Sequence, residues 1–347
     1  MQYTPFANSG RQVSRIGFGA MGLNCAFGQF DETYLINAVL HSLEQGVTFI
    51  DTARTYGDSE NILGKALKQW PGERPFIASK VAPQAAPTNA GWGVPNPIDI
   101  AYPPGATTAS VEASLRALDI DTIDLIQLHQ YWSQYEDGAW WDELDTLKRQ
   151  GKLRHIGISV TDHRHDQALS IVRNGLVDSV QTIVNIFDPL AFDSLIPLCR
   201  EKGVAVIARC VLDEGGLTGF LNEDTTFDEL DLRDDYFERG PMSEYLRRVA
   251  ELESFIPAHA DSLAELAIKF ALHDPGVTIV NISMHIPEYA DENIRTAAKA
   301  PLPADVFKTL RERHRWLVNL YEGKYFPAEG EEVSATGFKS RRSDSGA

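Results

Sequence analysis

Apolar and polar positions alternate along this chain on two scales. Short runs rich in aliphatic and β-branched residues recur. Each is followed by a polar or glycine-containing stretch, then by a longer segment in which apolar residues return every three to four positions. The short runs predict strands over Arg15–Gly19, Val47–Ile50, Pro75–Ser79, Ile123–Gln127, His155–Ile158, Ser179–Val184, Val204–Ala208 and Val277–Val280. The longer segments predict helices over Thr33–Gln45, Ser59–Gln69, Thr107–Leu118, Trp140–Gln150, His163–Asn174, Phe192–Lys202, Leu263–His273 and Glu288–Ala300. Strand and helix alternate throughout, which implies a parallel sheet with helices outside. Near-continuous apolar strands such as VAVIA at 204–208 fit a sheet buried on both faces. The expected fold is α/β, a (β/α)8 TIM barrel with long loops at its C-terminal face. It forms a single domain over residues 1–330, and a polar, Ser/Lys/Arg-rich tail over 331–347 is expected to be disordered.

The rival architecture is an open, doubly wound sheet. Gly17, Gly19 and Gly22 fit the GxGxxG spacing that such a sheet places after its first strand. No helical pattern opens on the last of these glycines, because Asn24–Phe30 reads as a loop, and the barrel is preferred. Two long connections, Val81–Gly105 and the acidic Asp213–Gly240, follow predicted strands. Long loops in compact domains are usually functional. In a barrel these two would stand at the C-terminal face, where sites are built.

Composition narrows the partners. Hydrophobic residues make up 43% of the chain and charged ones 23%, ordinary for a globular protein, and the net charge is −17. That balance argues against a nucleic-acid or anionic-membrane partner; it says little about small-molecule substrates, because one local basic group can bind an anion on an acidic protein. Cys25, Cys199 and Cys210 have neither CxxC spacing nor a paired-histidine pattern, so neither a disulfide framework nor a metal site is expected. The start, MQYTPFANSGRQ, lacks a basic and apolar leader, and no run approaches the roughly 18 apolar residues of a membrane span. A cytoplasmic location is expected. Nothing in the chain indicates an oligomeric state.

Four ionisable residues close predicted strands or the loops after them: Asp51 in VTFID, Tyr56 in DTARTYG, Lys80 in PFIASK and His129 in IDLIQLH. Singly, each has a bland explanation: a helix cap, a packed ring, a solvated end. In a barrel the ends of strands two, three and four are neighbours, so these side chains can converge on one mouth.

These segments, FIDTARTYGDSENILGKAL, PFIASK and IDLIQLH, resemble the signatures of the aldo-keto reductases, and the resemblance runs from about Ile16 to Arg295. It implies a catalytic tetrad of Asp51, Tyr56, Lys80 and His129 and an NAD(P)(H)-dependent interconversion of a carbonyl (aldehyde, ketone or sugar) and an alcohol. Tyr56 would be the general acid or base. A free phenol has a pKa of about 10, and a cationic Lys80 would lower it. Asp51 would keep Lys80 charged, and His129 would orient the carbonyl.

The resemblance also implies cofactor contacts. Ser159 and Gln181 match residues that hold the nicotinamide amide, although Val160 stands where an Asn often follows the Ser. Arg209 stands where many relatives stack an aromatic ring. Leu212, Gly216 and Thr218 would line the pyrophosphate loop, and Glu292 and Asn293 match the adenine contacts. Relatives selective for NADP carry a Lys or Arg before the last helix; here the stretch reads Ser283, Met284, His285. The family leaning is to NADP(H), with NAD(H) open. Trp92, Tyr131 and Trp132 are candidates to line the substrate pocket. Two other readings stay open: a cofactor-binding regulatory subunit, and a barrel enzyme forming a Schiff base on Lys80.

Overall fold

The computed structural model describes residues 1–84, 96–228, 231–237 and 242–316. Trp92 and the tail beyond residue 330 lie outside the described residues. A short antiparallel hairpin, β1 (Tyr3–Pro5) and β2 (Gln12–Ser14), leads the chain. Eight parallel strands follow: β3 (Ile16–Gly19), β4 (Phe49–Asp51), β5 (Phe76–Val81), β6 (Ile123–Tyr131), β7 (Leu153–Val160), β8 (Ser179–Ile183), β9 (Ala205–Arg209) and β10 (Ile279–Ser283). They pair in chain order, and β10 closes back onto β3. This is the (β/α)8 barrel, and the doubly wound alternative is ruled out.

Helices α1 (Glu32–Glu44), α2 (Ser59–Gln69), α3 (Ile98–Ala101), α4 (Ala106–Leu118), α5 (Ala139–Arg149), α6 (Leu169–Arg173), α7 (Leu195–Lys202), α8 (Leu232–Phe237), α9 (Met242–Leu252), α10 (Leu263–Leu272), α11 (Pro287–Ala297) and α12 (Ala304–Arg313) connect and flank the strands. Local chemistry sets several boundaries. The Asp31 carboxylate accepts from Tyr34 N and the Ser262 hydroxyl from Glu265 N, each satisfying a donor that a helix start leaves unpaired. The predicted helix over His163–Asn174 is instead a 3-10 turn, His165–Ala168, running into the short α6.

Inside the barrel lies an apolar cluster that includes Phe49, Phe76, Leu125, Ile207 and Ile279. Phe6, from the turn of the hairpin, is fully buried against Phe49 and Phe76 and plugs the N-terminal end. The larger apolar cluster fills the space between strands and helices. The three glycines of the GxGxxG spacing serve close packing. A Cβ on Gly17 would stand 2.8 Å from Phe49 Cδ1, and one on Gly22 would enter the His285 ring.

Candidate active site

Along a strand, side chains on one face recur every second residue. Counting from the apolar interior, Phe49 leads to Asp51, Ala78 to Lys80, Leu125 to Gln127 and His129, and Ile279 to Asn281. The alternation that fills the lower barrel with hydrocarbon therefore ends in a polar layer at the C-terminal mouth.

Asp51 is the hub of that layer. Its Oδ2 accepts from Lys80 Nζ at 2.5 Å and Asn281 Nδ2 at 3.3 Å, and its Oδ1 from Gln127 Nε2 at 2.9 Å and Gln181 Nε2 at 3.0 Å. A carboxylate offers about four lone-pair sites, and here all are used. Lys80 is fully buried and spends its three hydrogens on Asp51, the Thr52 carbonyl (2.9 Å) and the Tyr56 hydroxyl (3.3 Å). Burial opposes its charge, but Asp51 and Tyr56 outweigh burial and hold its pKa above the usual lysine value.

Tyr56 shows the opposite balance. Burial raises its pKa above 10, and the Lys80 cation, which lowers it as expected, does not overcome burial. The net direction therefore corrects the expectation of a lowered value, and the phenol keeps its proton. His129 packs edge-on to Tyr56, with ring centroids 6.1 Å apart. Burial, then the Lys80 and Arg209 cations, pushes its pKa well below 6.5, so the imidazole is neutral. A buried Glu60 secures the loop that carries Tyr56, accepting from Arg54 Nη1 at 2.5 Å and from the Ser79 hydroxyl at 2.6 Å. Asp51, Tyr56, Lys80 and His129 do meet, and Gln127, Asn281, Arg54 and Glu60 support them unforeseen. Gln127 was visible in principle as the polar residue two before His129 on an apolar strand.

A cavity of about 1190 Å³ opens above this layer. Tyr56 and His129 line it, as do Trp132, Ser159, Gln181, Arg209, Leu212, Thr218, His285, Glu292 and Asn293. Asp51 and Lys80 lie buried beneath it. Two expected lining residues face elsewhere. Tyr131 packs edge-on against Trp140 in the outer core, 6.2 Å between centroids. Gly216 abuts Tyr245, whose hydroxyl would sit 1.9 Å from an added Cβ. The glycines that reach the cavity from this loop are Gly215 and Gly219, both at positive φ. Asp213 pins the loop by accepting from the Tyr236 and Tyr245 hydroxyls, each at 2.7 Å.

Arg209 is held by Asp162 at 2.5 Å and donates to the Val160 carbonyl at 3.1 Å. Burial opposes its charge, but Asp162 and then Cys210 outweigh burial and raise its pKa, so it is a permanent cation in the cavity wall. At the far end His285 lies between Phe27 and Phe30, with centroids 5.9 and 5.2 Å away. Burial, aided by Arg233, lowers its pKa to about 4. Arg233, also in the wall, is bound at two atoms by Asp231. Among the described residues no helix is long and apolar enough to cross a membrane.

Residues 15–314 match the model of the aldo/keto reductase family. An aldo-keto reductase of Bacillus subtilis is 31% identical over 80% of this chain and 83% of its own length. An NADH-specific methylglyoxal reductase of Escherichia coli is 26% identical over 85% and 93%. Among solved structures, an aldo-keto reductase from Bacillus halodurans, in its holo form, superposes with a TM-score of 0.67 at 25% identity, covering 91% of this chain and 99% of its own. A glycerol dehydrogenase from Gluconobacter oxydans shares the fold, with a TM-score of 0.72 at 24% identity over 90% and 95%. The chain belongs to the aldo/keto reductase family, oxidoreductases that act on carbonyl compounds and alcohols.

Proposed function

We propose that this protein interconverts a small carbonyl compound and its alcohol with a nicotinamide dinucleotide, using Tyr56 as the proton donor and acceptor. The observation that carries the reading is the buried chain from Asp51 through Lys80 to the Tyr56 hydroxyl, with neutral His129 beside it. The wall residues fit a dinucleotide. Among the described residues, Asn281 Oδ1 and His285 Nε2 are buried there without a hydrogen-bond partner, and Gly215 and Gly219 allow close backbone approach.

When bound, a reduced nicotinamide supplies the hydride to the carbonyl carbon. Tyr56 gives its proton to the developing alkoxide oxygen. The negative charge left on Tyr56 Oη is stabilised by Lys80 Nζ, 3.3 Å away. Asp51, itself satisfied by three amides, keeps Lys80 charged and fixed. A neutral His129 has one N–H to offer the carbonyl oxygen. In the reverse direction Tyr56 takes the proton from the alcohol. Positioned acid–base groups of this kind contribute about 10²- to 10⁴-fold. A Schiff base on Lys80 is disfavoured, because a strongly charged, fully hydrogen-bonded ammonium is a poor nucleophile.

The dinucleotide we assign is NAD(H), against the family leaning to NADP(H). His285 is neutral, and Arg233 already serves Asp231, which suits a 2′-hydroxyl better than a phosphate. The Escherichia coli relative is, by its name, NADH-specific. The test is quenching of tryptophan fluorescence by NADH and by NADPH, each in separate titrations. Saturable quenching with tighter NADH binding is expected; tighter NADPH binding reverses the assignment, and no quenching by either removes the reading.

A further inference from the structure

We propose that Arg209 biases the bound dinucleotide toward its reduced form. A fixed cation in the wall beside the reacting groups favours NADH, whose nicotinamide ring is neutral, over NAD⁺, whose ring is positive. This rests on the oxidoreductase reading above and adds which oxidation state, and so which direction of hydride transfer, that site favours.

The strands fix where the cation stands. Ile207 of β9 belongs to the apolar barrel interior, and Arg209 follows two residues later on the same inward face. β9 pairs with β8, and β8 with β7. The guanidinium nevertheless reaches the Val160 carbonyl at the end of β7, 3.1 Å away, so the side chain spans the end of β8. Beside that carbonyl stand Ser159 and Gln181, paired across β7 and β8, and His129, paired with Ser159 from β6. All line the cavity with Tyr56 and Arg209.

Hydride transfer needs its two carbons about 3–3.5 Å apart. A carbonyl whose oxygen meets Tyr56 therefore confines the redox ring to this part of the cavity. The Arg209 charge is felt here. After burial and Lys80 it helps to keep His129 neutral, and with Lys80 it opposes burial at the Tyr56 hydroxyl.

The surrounding charges leave that cation in excess. Asp162, at 2.5 Å, is the more exposed of the pair, 34% against 19%, so water screens the anion more than the cation. Lys80 below is matched by Asp51. Burial raises the pKa of Glu214, another acid of this wall, which accepts from Cys210 Sγ at 3.1 Å. The pyrophosphate is common to both oxidation states and cancels from their ratio, whereas the ring charge does not. Each factor of ten in that ratio raises the potential of the bound two-electron couple by about 30 mV, which favours hydride transfer from the alcohol carbon to the ring.

The test measures Kd for NADH and for NAD⁺ by calorimetry on the full-length protein and three variants, each checked by a thermal melt. Wild type should bind NADH about tenfold or more tightly than NAD⁺. Arg209→Gln keeps a planar donor and loses the charge; it should narrow the ratio about tenfold, chiefly by tighter NAD⁺ binding. Arg209→Lys should hold the wild-type ratio. Asp162→Asn, which removes the opposing anion, should widen it. Comparable Kd values in wild type would overturn the proposal. So would equal changes in both Kd values in Arg209→Gln, a ratio that falls as far in Arg209→Lys, or one that narrows in Asp162→Asn. If Arg209→Gln does not fold, the other two variants decide. If NADPH binds more tightly than NADH, the NADP⁺ and NADPH pair carries the same test, because the ring charge is the same. No binding of any of the four removes the oxidoreductase reading; binding with a ratio indifferent to the charge removes only the bias.

Discussion

Two buried aspartates sit at opposite ends of the same barrel and are neutralised in opposite ways. At the N-terminal end Asp124 accepts from Arg11 and Arg154, ion-pairs with Arg74, and accepts from the Ile77 backbone N–H at 2.9 Å. Its three arginines are 26%, 51% and 31% exposed, in that order, so each keeps a path to water. At the C-terminal end Asp51 has one fully buried ammonium and three neutral amides. The first arrangement spreads charge toward solvent and ties Arg11, next to the hairpin, to β5, β6 and β7. The second confines one positive charge in a dry interior and presents it to a phenol at the cavity floor. The difference separates an ion cluster that holds the barrel from one that, in the proposed mechanism, supports proton transfer.

Breaking the inner pair should have the larger effect. Lys80→Met leaves Asp51 charged, buried and without its cation, a loss of about 3–5 kcal/mol for pairs of this type. It also removes the group that stabilises the Tyr56 anion, so turnover should fall about 10²- to 10⁴-fold. Thermal melts and initial rates on one preparation would report both, and a variant that melts lower yet turns over normally would separate Lys80 from the chemistry. Asp124→Asn should be milder, about 1–3 kcal/mol, because the arginines left behind can turn to solvent. Denaturant unfolding should show that loss with turnover retained; a matching fall in turnover would show the two ends to be coupled.

The pH dependence sharpens the contrast. In the proposed mechanism reduction uses protonated Tyr56, and burial raises its pKa above 10, so reduction should stay level through neutral pH and decline only above the ordinary phenol range. Oxidation, which in that mechanism uses the phenolate, should rise with pH over the same span. His129, held well below 6.5, should add no inflection near neutrality. A reduction rate that halves near pH 6.5 would assign the proton to His129. The smallest effect is expected at the adenosine end. His285→Arg should shift the NADPH-to-NADH affinity ratio about tenfold toward NADPH by adding one charged donor. An unmoved ratio would place the 2′-position elsewhere.

What could be read from sequence follows the same division. Ionisable residues at the ends of apolar runs stand out, so Asp51, Lys80 and His129 were visible without coordinates. Their neutral partners were not: Gln127 and Asn281 look like ordinary strand polar residues until the inward face is known. The strand rhythm locates all eight barrel strands, but it ends β6 at Gln127, short of Tyr131. His-Gln-Tyr resembles a loop, and the bulge at Gln130 uses no glycine to announce itself. The hairpin strands, three residues each, are too short to show a period. The acidic segment after Asp213 reads as loop, yet it contains α8. Which glycines of its first turn reach the cavity depends on backbone angles that Gly215, Gly216 and Gly219 do not reveal by spacing.

The central claim is tested most directly by Tyr56→Phe, assayed for NADH-dependent reduction of glyceraldehyde alongside NADH quenching of tryptophan fluorescence. Removing one hydroxyl should leave quenching saturable at about the wild-type concentration and lower turnover about 10²- to 10⁴-fold. Turnover near the wild-type rate, with quenching intact, would show that the proton comes from another group.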